Sequence, residues 1–542
     1  MAILIETNEY QTPITEELLS QYPEEVVQQF TEIVNIVPFI KNLINPNRPK
    51  IEDLPRDKEG RAIVDITNPP IYKDADYFRQ AALFYLKNNC YTKLRPNSNP
   101  NSEYRKYWRE ELRRCREGLI RQSDGMYVTG FLYWFLNYCP MMVNFYKEGQ
   151  KKAIRKESFG FFFEGIWWRS IYLYNAREQG HHAIELAKRG CAKSYFLATI
   201  MSHNLIVGES EATHKRCITV LTAAQKEYLK DDKDGTLNKF IPELSFVIDN
   251  TPFPNLLLKN SPNEMSWQMG YKKPNGAIGG SMNQVLGVSA KDDSDKLRGK
   301  RGWILYEEMG TFDGLLELYD VTRKSVEDGD YTFSCMYLVG TANNKESSFL
   351  SAKKLLYAPE SYNIQSVPNV YDKKGSGKDT FGFFFPAYIN RAGCYNKDGI
   401  SDVIKALLQV LMARYKSKYG ADPTSVLRVI AEDPITPAEA IIKVKDAYFP
   451  VASLQERADT LDKIPSLYDD IYVGELYTTS TGEIEFRPTD DIPIRTYPVD
   501  NDTKGALEIY SMPKKDREGK VFNDRYIIGV DPKSLGLILV IK

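Results

Sequence analysis

The chain has almost no net charge, no leader-like segment and no paired cysteines, and each lack excludes something. Its 542 residues carry 71 Lys and Arg against 72 Asp and Glu. The chain as a whole is therefore not a polycation, and any grip on nucleic acid must come from a local basic surface. The opening stretch MAILIETNEYQTP has no basic segment leading into an apolar run, so no signal peptide is expected. The seven cysteines (Cys90, Cys115, Cys139, Cys191, Cys217, Cys335 and Cys394) lack paired metal-ligand spacing. An odd count in a long chain suits a reducing interior better than secretion. Internal repeats and low-complexity tails are also missing. One uncharged window, Tyr127 to Tyr146 (YVTGFLYWFLNYCPMMVNFY), is long enough to span a bilayer. Asn137, Pro140 and Asn144 interrupt it and its aromatics are spread throughout, so it reads as buried core.

What is present points to several domains of mixed α/β type. The length suits two to four domains. Residues 1–155 read as a mostly helical N-terminal region, with a loosely built stretch over residues 1–100. Within it, SEYRKYWREELRRCREG (Ser102 to Gly118) is a helix with a serine cap and a glycine stop. Residues 156–355 read as the core. There CITVLTAA (Cys217 to Ala224), MNQVLGVS (Met282 to Ser289), WILY (Trp303 to Tyr306) and CMYLVGT (Cys335 to Thr341) are short apolar strands ending in small or polar residues. Helices or long insertions separate most of them, which predicts a largely parallel sheet with ligands at the strand carboxyl ends. Residues 356–515 read as an accessory or lid subdomain and linker, containing a capped helix from Ser401 to Gly420 and a hairpin at LYTTSTGEIEF. Residues 516–542 open a further domain with the strand of RYIIGVDP.

Three stretches in the core carry chemistry. IELAKRGCAKSYFLAT (Ile184 to Thr199) has the order strand, turn, Lys193, Ser194, helix. Backbone N–H groups at such a helix start can wrap phosphates, a lysine can reach the terminal phosphates, and a hydroxyl can bind Mg²⁺. The usual pattern wants glycine at 187 and 192, yet both are alanine, and Gly190 is the sole glycine of the turn. Alanine joins such a loop with a negative φ or with compensated strain; the alternative is an ordinary turn into a buried helix. RGWILYEEMGTF (Arg301 to Phe312) is an apolar strand ending in two carboxylates. Nucleotide hydrolysis needs one carboxylate for Mg²⁺ and one to orient and deprotonate water, which assigns Glu307 to the metal and Glu308 to the water. CMYLVGTANN ends in polar groups, Thr341 and Asn343 among them, suited to sensing a terminal phosphate; the alternative is a plain strand exit.

Together these residues resemble the large terminase subunit of tailed bacteriophages, the ATPase that drives DNA into the capsid. ELAKRGCAKSYFLA resembles the family's deviant phosphate loop (Walker A), and SAKDDSDKLRGKRGWILYEE the approach to its acidic strand (Walker B). LVGTANN resembles its coupling motif. REGLIRQSDGMYVTGFLYWFLNYCPM and EDPITPAEA are similar to flanking segments. The resemblance implies an α/β P-loop NTPase core of the ASCE type, binding ATP and Mg²⁺. It implies nucleotide contacts from Lys188, Gly190, Cys191, Ala192, Lys193, Ser194 and Tyr195, and Mg²⁺ at Ser194 and Glu307. Catalysis falls to Glu308 and to Arg189 as an arginine finger, with Arg298, Arg301 or a neighbouring subunit's arginine as rivals. Coupling falls to Thr341 and Asn343. Two departures stand out: Ala192 for the usual glycine and Glu307 for the usual aspartate.

The family also carries an RNase H-like nuclease, whose first metal ligand would be Asp531. The chain stops at Lys542, before the remaining carboxylates, so a truncated or lost domain and no nuclease activity are expected. The implied partners are double-stranded DNA held through its phosphates irrespective of base sequence, a portal protein, a small terminase subunit, and further copies of the chain in a homo-oligomeric ring, with a monomer in solution. No membrane is involved; the implied place is the host cytoplasm and, transiently, the procapsid portal, but not the mature virion. Candidate DNA grips are Lys151, Lys152, Arg155 and Lys156, or the run Lys296 to Arg301; each also reads as a plain exposed basic face. Two other functions fit the same motifs: a helicase-like P-loop ATPase, and a catalytically dead nucleotide fold kept as a scaffold.

Overall fold

The computed structural model describes residues 6–146, 152–208, 216–231, 235–290, 294–341, 346–371, 379–420, 423–441, 472–482, 484–489, 507–509, 527–530 and 538–541. The chain forms two units, Met1–Lys445 and Asp446–Lys542.

The first unit is built on an eight-stranded sheet. Its strands are β1 (Ala183–Ala187), β2 (Ile218–Ala223), β3 (Leu257–Ser261), β4 (Ser266–Met269), β5 (Gln284–Ser289), β6 (Trp303–Glu307), β7 (Met336–Gly340) and β8 (Phe383–Phe385). In space they run β8-β1-β7-β6-β2-β5-β4-β3. Neighbours from β8 to β5 pair parallel, and β4 and β3 add antiparallel pairings at one edge. Strands β1, β6 and β7 are buried along their whole length. That explains their near-continuous apolar sequences, since a parallel sheet covered on both faces leaves no polar side. Strand β8 comes from FFFPAY, in the stretch read as accessory, and extends the sheet beyond β1.

Among the described residues, twelve longer helices surround or precede the sheet: α1 (Glu24–Ile36), α2 (Pro38–Ile44), α3 (Gln80–Asn88), α4 (Glu103–Glu117), α5 (Gly130–Tyr138), α6 (Glu164–Glu178), α7 (Lys193–Ile206), α8 (Leu237–Asn250), α9 (Leu315–Val326), α10 (Glu346–Tyr357), α11 (Val403–Lys418) and α12 (Pro423–Glu432). Ser102 caps α4 by accepting from the Arg105 N–H, and Gly118 ends it at φ +88°. Asp402, one residue after the expected start, caps α11 through the Lys405 N–H. Helix α7 packs on β2 and β5 and against α5 and α8, while α10 packs on β1.

The uncharged window 127–146 divides into a two-residue strand, the nine-residue α5 and the strand Pro140–Phe145. Trp134, Leu136 and Tyr138 are fully buried there. Among the described residues no helix is long and apolar enough to cross a membrane. The stretch 1–100 is not loosely built. Phe30, Phe39, Ile40 and Leu43 belong to the main core. Arg48 forms a buried ion pair with Glu164 at 2.9 Å, and Gln11 bonds the backbone of Ser401 and Val403. Polar side chains with partners distant in sequence carry no local signature, which is why the sequence read as turn-rich and loose.

In the second unit, Tyr472–Thr478 and Ile484–Pro488 form the expected hairpin, joined by Leu507–Ile509. Ile527–Val530 pairs antiparallel with Ile538–Ile541.

Candidate functional site

A cleft of about 1100 Å³ opens at the carboxyl ends of the parallel strands. The loop 188–192 joins β1 to α7 along one wall, and Glu307 and Glu308 end β6 opposite. Strand β7 lies between β1 and β6 in the sheet, so Thr341, just beyond its end, sits between loop and carboxylates. No local pattern dictates this insertion; it is a property of the strand order.

The structure brings Lys188, Arg189, Gly190, Cys191, Ala192, Lys193, Ser194, Tyr195, Glu307, Glu308 and Thr341 to this one cleft. The Ser194 hydroxyl donates to Glu307 Oε1 at 2.6 Å. The Thr341 backbone N–H and hydroxyl both donate to Glu308 Oε2, at 3.2 and 2.8 Å. The Lys193 ammonium is buried and donates to the Lys188 carbonyl at 3.4 Å, and the Lys188 ammonium donates to the Ala387 carbonyl at 3.4 Å. Arg189 is exposed and paired with Glu432 at 3.2 Å. Asn343 and Asp531 lie outside the described residues. Arg301 precedes β6 at the opposite end from Glu307, about 20 Å away along the chain direction, so within its own chain it does not serve this cleft. Arg298, also exposed, pairs with Asp295.

The loop carries strain. Gly190 has φ +73°, and Ala192, at the N-cap of α7, has φ +59°. The sequence left two ways for alanine to fit; the structure takes the left-handed one, at a cost of about 1–2 kcal/mol. Glu308, at φ +50°, is also left-handed, which turns it away from the strand direction immediately after Glu307.

A buried brace holds the loop. Arg169 of α6 pairs with Glu185 of β1 through two bonds, 2.6 and 2.8 Å, and its other terminal nitrogen donates to the Cys191 carbonyl at 2.9 Å. The Tyr337 hydroxyl of β7 also donates to Glu185. The only sequence signal was a charge inside each of two otherwise apolar stretches, IELA and GIWWRSIYLY. Sequence reasoning also missed Arg391 and Asp433, which line the cleft and pair at 3.1 Å.

Burial, and then the Glu308 charge, push the Glu307 carboxyl up from 4.5 to about 7, against the opposing pull of Ser194 and Lys193. Burial brings the Lys188 ammonium down to about 8. Glu307 Oε2 is buried without a hydrogen-bond partner. An orphaned carboxylate oxygen beside a serine hydroxyl is an all-oxygen donor set that fits a hard cation. Among the described residues no cluster of three or more His, Cys, Asp or Glu could cage a metal. Mg²⁺ needs no such cage when phosphate oxygens and water complete its octahedron.

No protein-family model matches the chain, and no curated protein matches it. Solved structures do. Similar ones include the large terminase ATPase domain of Thermus phage P74-26, at 10% identity, 48% of this chain, 91% of that one and TM-score 0.32. An arginine-to-alanine mutant of that domain matches at 10% identity, over 33% of this chain and 67% of that one, with TM-score 0.26. The HK97 bacteriophage large terminase matches at 10% identity, over 66% of each chain, with TM-score 0.33. Values this low assign no residue of this chain a role, and the site is read from its own geometry.

Proposed function

We propose that this chain is an ATP-hydrolysing motor subunit that moves double-stranded DNA, the terminase large subunit its motifs resemble. The observation that carries the reading is the 2.6 Å contact from Ser194 to Glu307, which closes one end of a cleft also lined by Lys193 and Glu308. A lysine and a hydroxyl at the start of α7 meet two carboxylates at the end of β6 there, at a helix N-terminus, where unpaired N–H groups favour anions.

In this reading the triphosphate lies along the loop 188–192. Lys193 leaves the Lys188 carbonyl for the terminal phosphates, and Lys188 adds a second ammonium. Ser194 and Glu307 would hold Mg²⁺, which when bound neutralises phosphate charge. Glu308 orients the attacking water and takes its proton. Because Thr341 grips Glu308 by two hydrogen bonds, movement of that carboxylate on ATP binding or turnover is felt at the end of β7; Thr341, with Asn343, is the coupling element. Arg189, already exposed, is the arginine finger and exchanges Glu432 for the γ-phosphate. A subunit ring, a portal and a small subunit complete the motor, which works in the host cytoplasm and grips DNA through its phosphates.

The test is ATP hydrolysis by the purified full chain with and without duplex DNA. Wild type should hydrolyse ATP faster with DNA. Lys193→Ala should lose turnover. Glu308→Gln should still bind ATP while kcat falls by about 10²–10⁴. A wild-type chain that neither binds nor cleaves ATP refutes the reading in favour of a scaffold; duplex unwinding without a portal favours a helicase.

A further inference from the structure

The segment EDPITPAEA, residues 432–440, takes no part in the hydrolysis scheme, yet it is fixed firmly beside the phosphate loop. Arg414 of α11 pairs with Glu439 through two bonds, 2.9 and 2.6 Å, and donates to the Asp433 carbonyl at 3.0 Å. Glu439 also accepts the Ile435 N–H at 2.6 Å, and Ile435 is buried in the core. The Pro434 carbonyl accepts the Ala387 N–H at 2.8 Å, and the Ala387 carbonyl accepts the Lys188 ammonium. The Lys188 N–H donates to the Phe385 carbonyl at the end of β8. Three segments are thereby stitched together: the loop 188–192, the chain leaving β8, and residues 433–435.

Two carboxylates on that mount each hold an arginine of the cleft wall. Glu432, the last residue of α12, pairs with Arg189 at 3.2 Å, and Asp433 pairs with Arg391 at 3.1 Å. Arg189, Arg391 and Asp433 all line the cleft. Carboxylates at a helix C-terminus oppose its dipole, so α12 gains nothing from them there. The Arg189 pair is exposed and the Arg391 pair only partly buried, so burial locks neither of them. A guanidinium fork fits carboxylate and phosphate oxygens alike. Lys188 occupies the same corner: burial lowers its ammonium, the Cys191 and Asp433 side chains oppose that shift, and Arg391 adds to it.

We propose that Arg391 is a further phosphate-binding residue of this site, and that Asp433 competes with the nucleotide for it. The proposal rests on the reading of the cleft as an ATP site. Ser194 and Glu307 mark the metal end of that site, at β6. Strand β8 lies on the far side of β1 from β6. Arg391, on the chain leaving β8, therefore meets the nucleotide nearer its α- and β-phosphates than its γ-phosphate. On binding, phosphate takes the guanidinium from Asp433, as it takes Arg189 from Glu432. Each exchange costs an existing ion pair, so the carboxylates hold ATP affinity below what the cations alone would give. A competitor fixed in place also takes Arg391 back when phosphate leaves, which suits a site that must release product every cycle.

The experiment is isothermal titration calorimetry on the full chain with ATP and Mg²⁺ and, separately, with inorganic pyrophosphate. The proteins are wild type, Arg391→Gln, Asp433→Asn and the double variant. Arg391→Gln should weaken both ligands about tenfold, the loss of one charged hydrogen-bonded contact. Asp433→Asn should tighten both about two- to fivefold, the scale of a partly exposed ion pair. The loss caused by Arg391→Gln should be larger in the Asp433→Asn background than in wild type, because no competitor then holds the guanidinium. A general repulsion between Asp433 and phosphate would leave that loss unchanged, and an Asp433 that positions Arg391 would shrink it; either result overturns the proposal. So does an Arg391→Gln variant that weakens ATP but not pyrophosphate, since the contact is then with base or ribose. Melting curves matching wild type show that the variants fold. Should Arg391→Gln not fold, Arg391→Lys, which keeps the charge and loses the fork, takes its place in the same cycle. A wild type that binds no ATP refutes the reading of the cleft itself; ATP binding left unchanged by Arg391→Gln removes the role of Arg391 alone.

Discussion

Glu307 is the residue whose removal should stabilise the protein, and only above a defined pH. Burial and the neighbouring Glu308 raise its carboxyl from 4.5 to about 7. Below pH 4.5 it is protonated both folded and unfolded, and contributes no difference. Between 4.5 and 7 the unfolded chain releases the proton while the folded chain retains it, so stability falls as pH rises. Above about 7 the loss is complete. At about 1.4 kcal/mol per tenfold change in the proton equilibrium, that loss is about 3 kcal/mol. Glu307→Gln keeps the shape and the acceptor for Ser194 but cannot ionise. With roughly 2.1 cal/mol/K of unfolding entropy per residue over the Met1–Lys445 unit, the variant should melt about 3 °C higher than wild type at pH 8. At pH 4.5 the two should melt together. Differential scanning fluorimetry across this range, without nucleotide or Mg²⁺, reads both limits. A gap that is the same at both pH values, or a wild type that melts higher at pH 8, would refute the assignment of a raised carboxyl to Glu307.

Ala192→Gly should relieve a left-handed alanine, offset by the entropy glycine loses on folding, for a net gain of about 0.5–1 kcal/mol; a lower melting temperature would show the loop is not strained there. Arg169→Met should cost about 3–5 kcal/mol by leaving Glu185 buried without its partner, read as a melting temperature several degrees lower together with weaker ATP binding, because the Cys191 carbonyl also loses its donor. Lys188 is charged below about 8 and neutral above. The KM for ATP should therefore rise as pH passes 8 in wild type, and Lys188→Met should abolish that rise; an unchanged profile would remove Lys188 from the phosphate contacts.

The parts of the site legible in the sequence were those with a local signature. Lys193 and Ser194 follow a strand and start a helix. Glu307, Glu308 and Thr341 end apolar runs whose length and β-branched content announce strands. The brace was not legible, because Arg169 and Glu185 become partners only when α6 lies along β1. The conformation of Ala192 was not legible either, since the same residue fits a loop with either sign of φ.

The sequence by itself determined which residues could do chemistry and which segments had to be buried, because side-chain type and apolar periodicity act over a few residues. Only the tertiary structure decided that β7 runs between β1 and β6, that β8 joins the sheet, and that the first hundred residues lock onto the core through Arg48 and Gln11. Those outcomes depend on long-range pairing and packing, where many strand orders satisfy the same local pattern and the difference lies in how completely each one buries its polar partners.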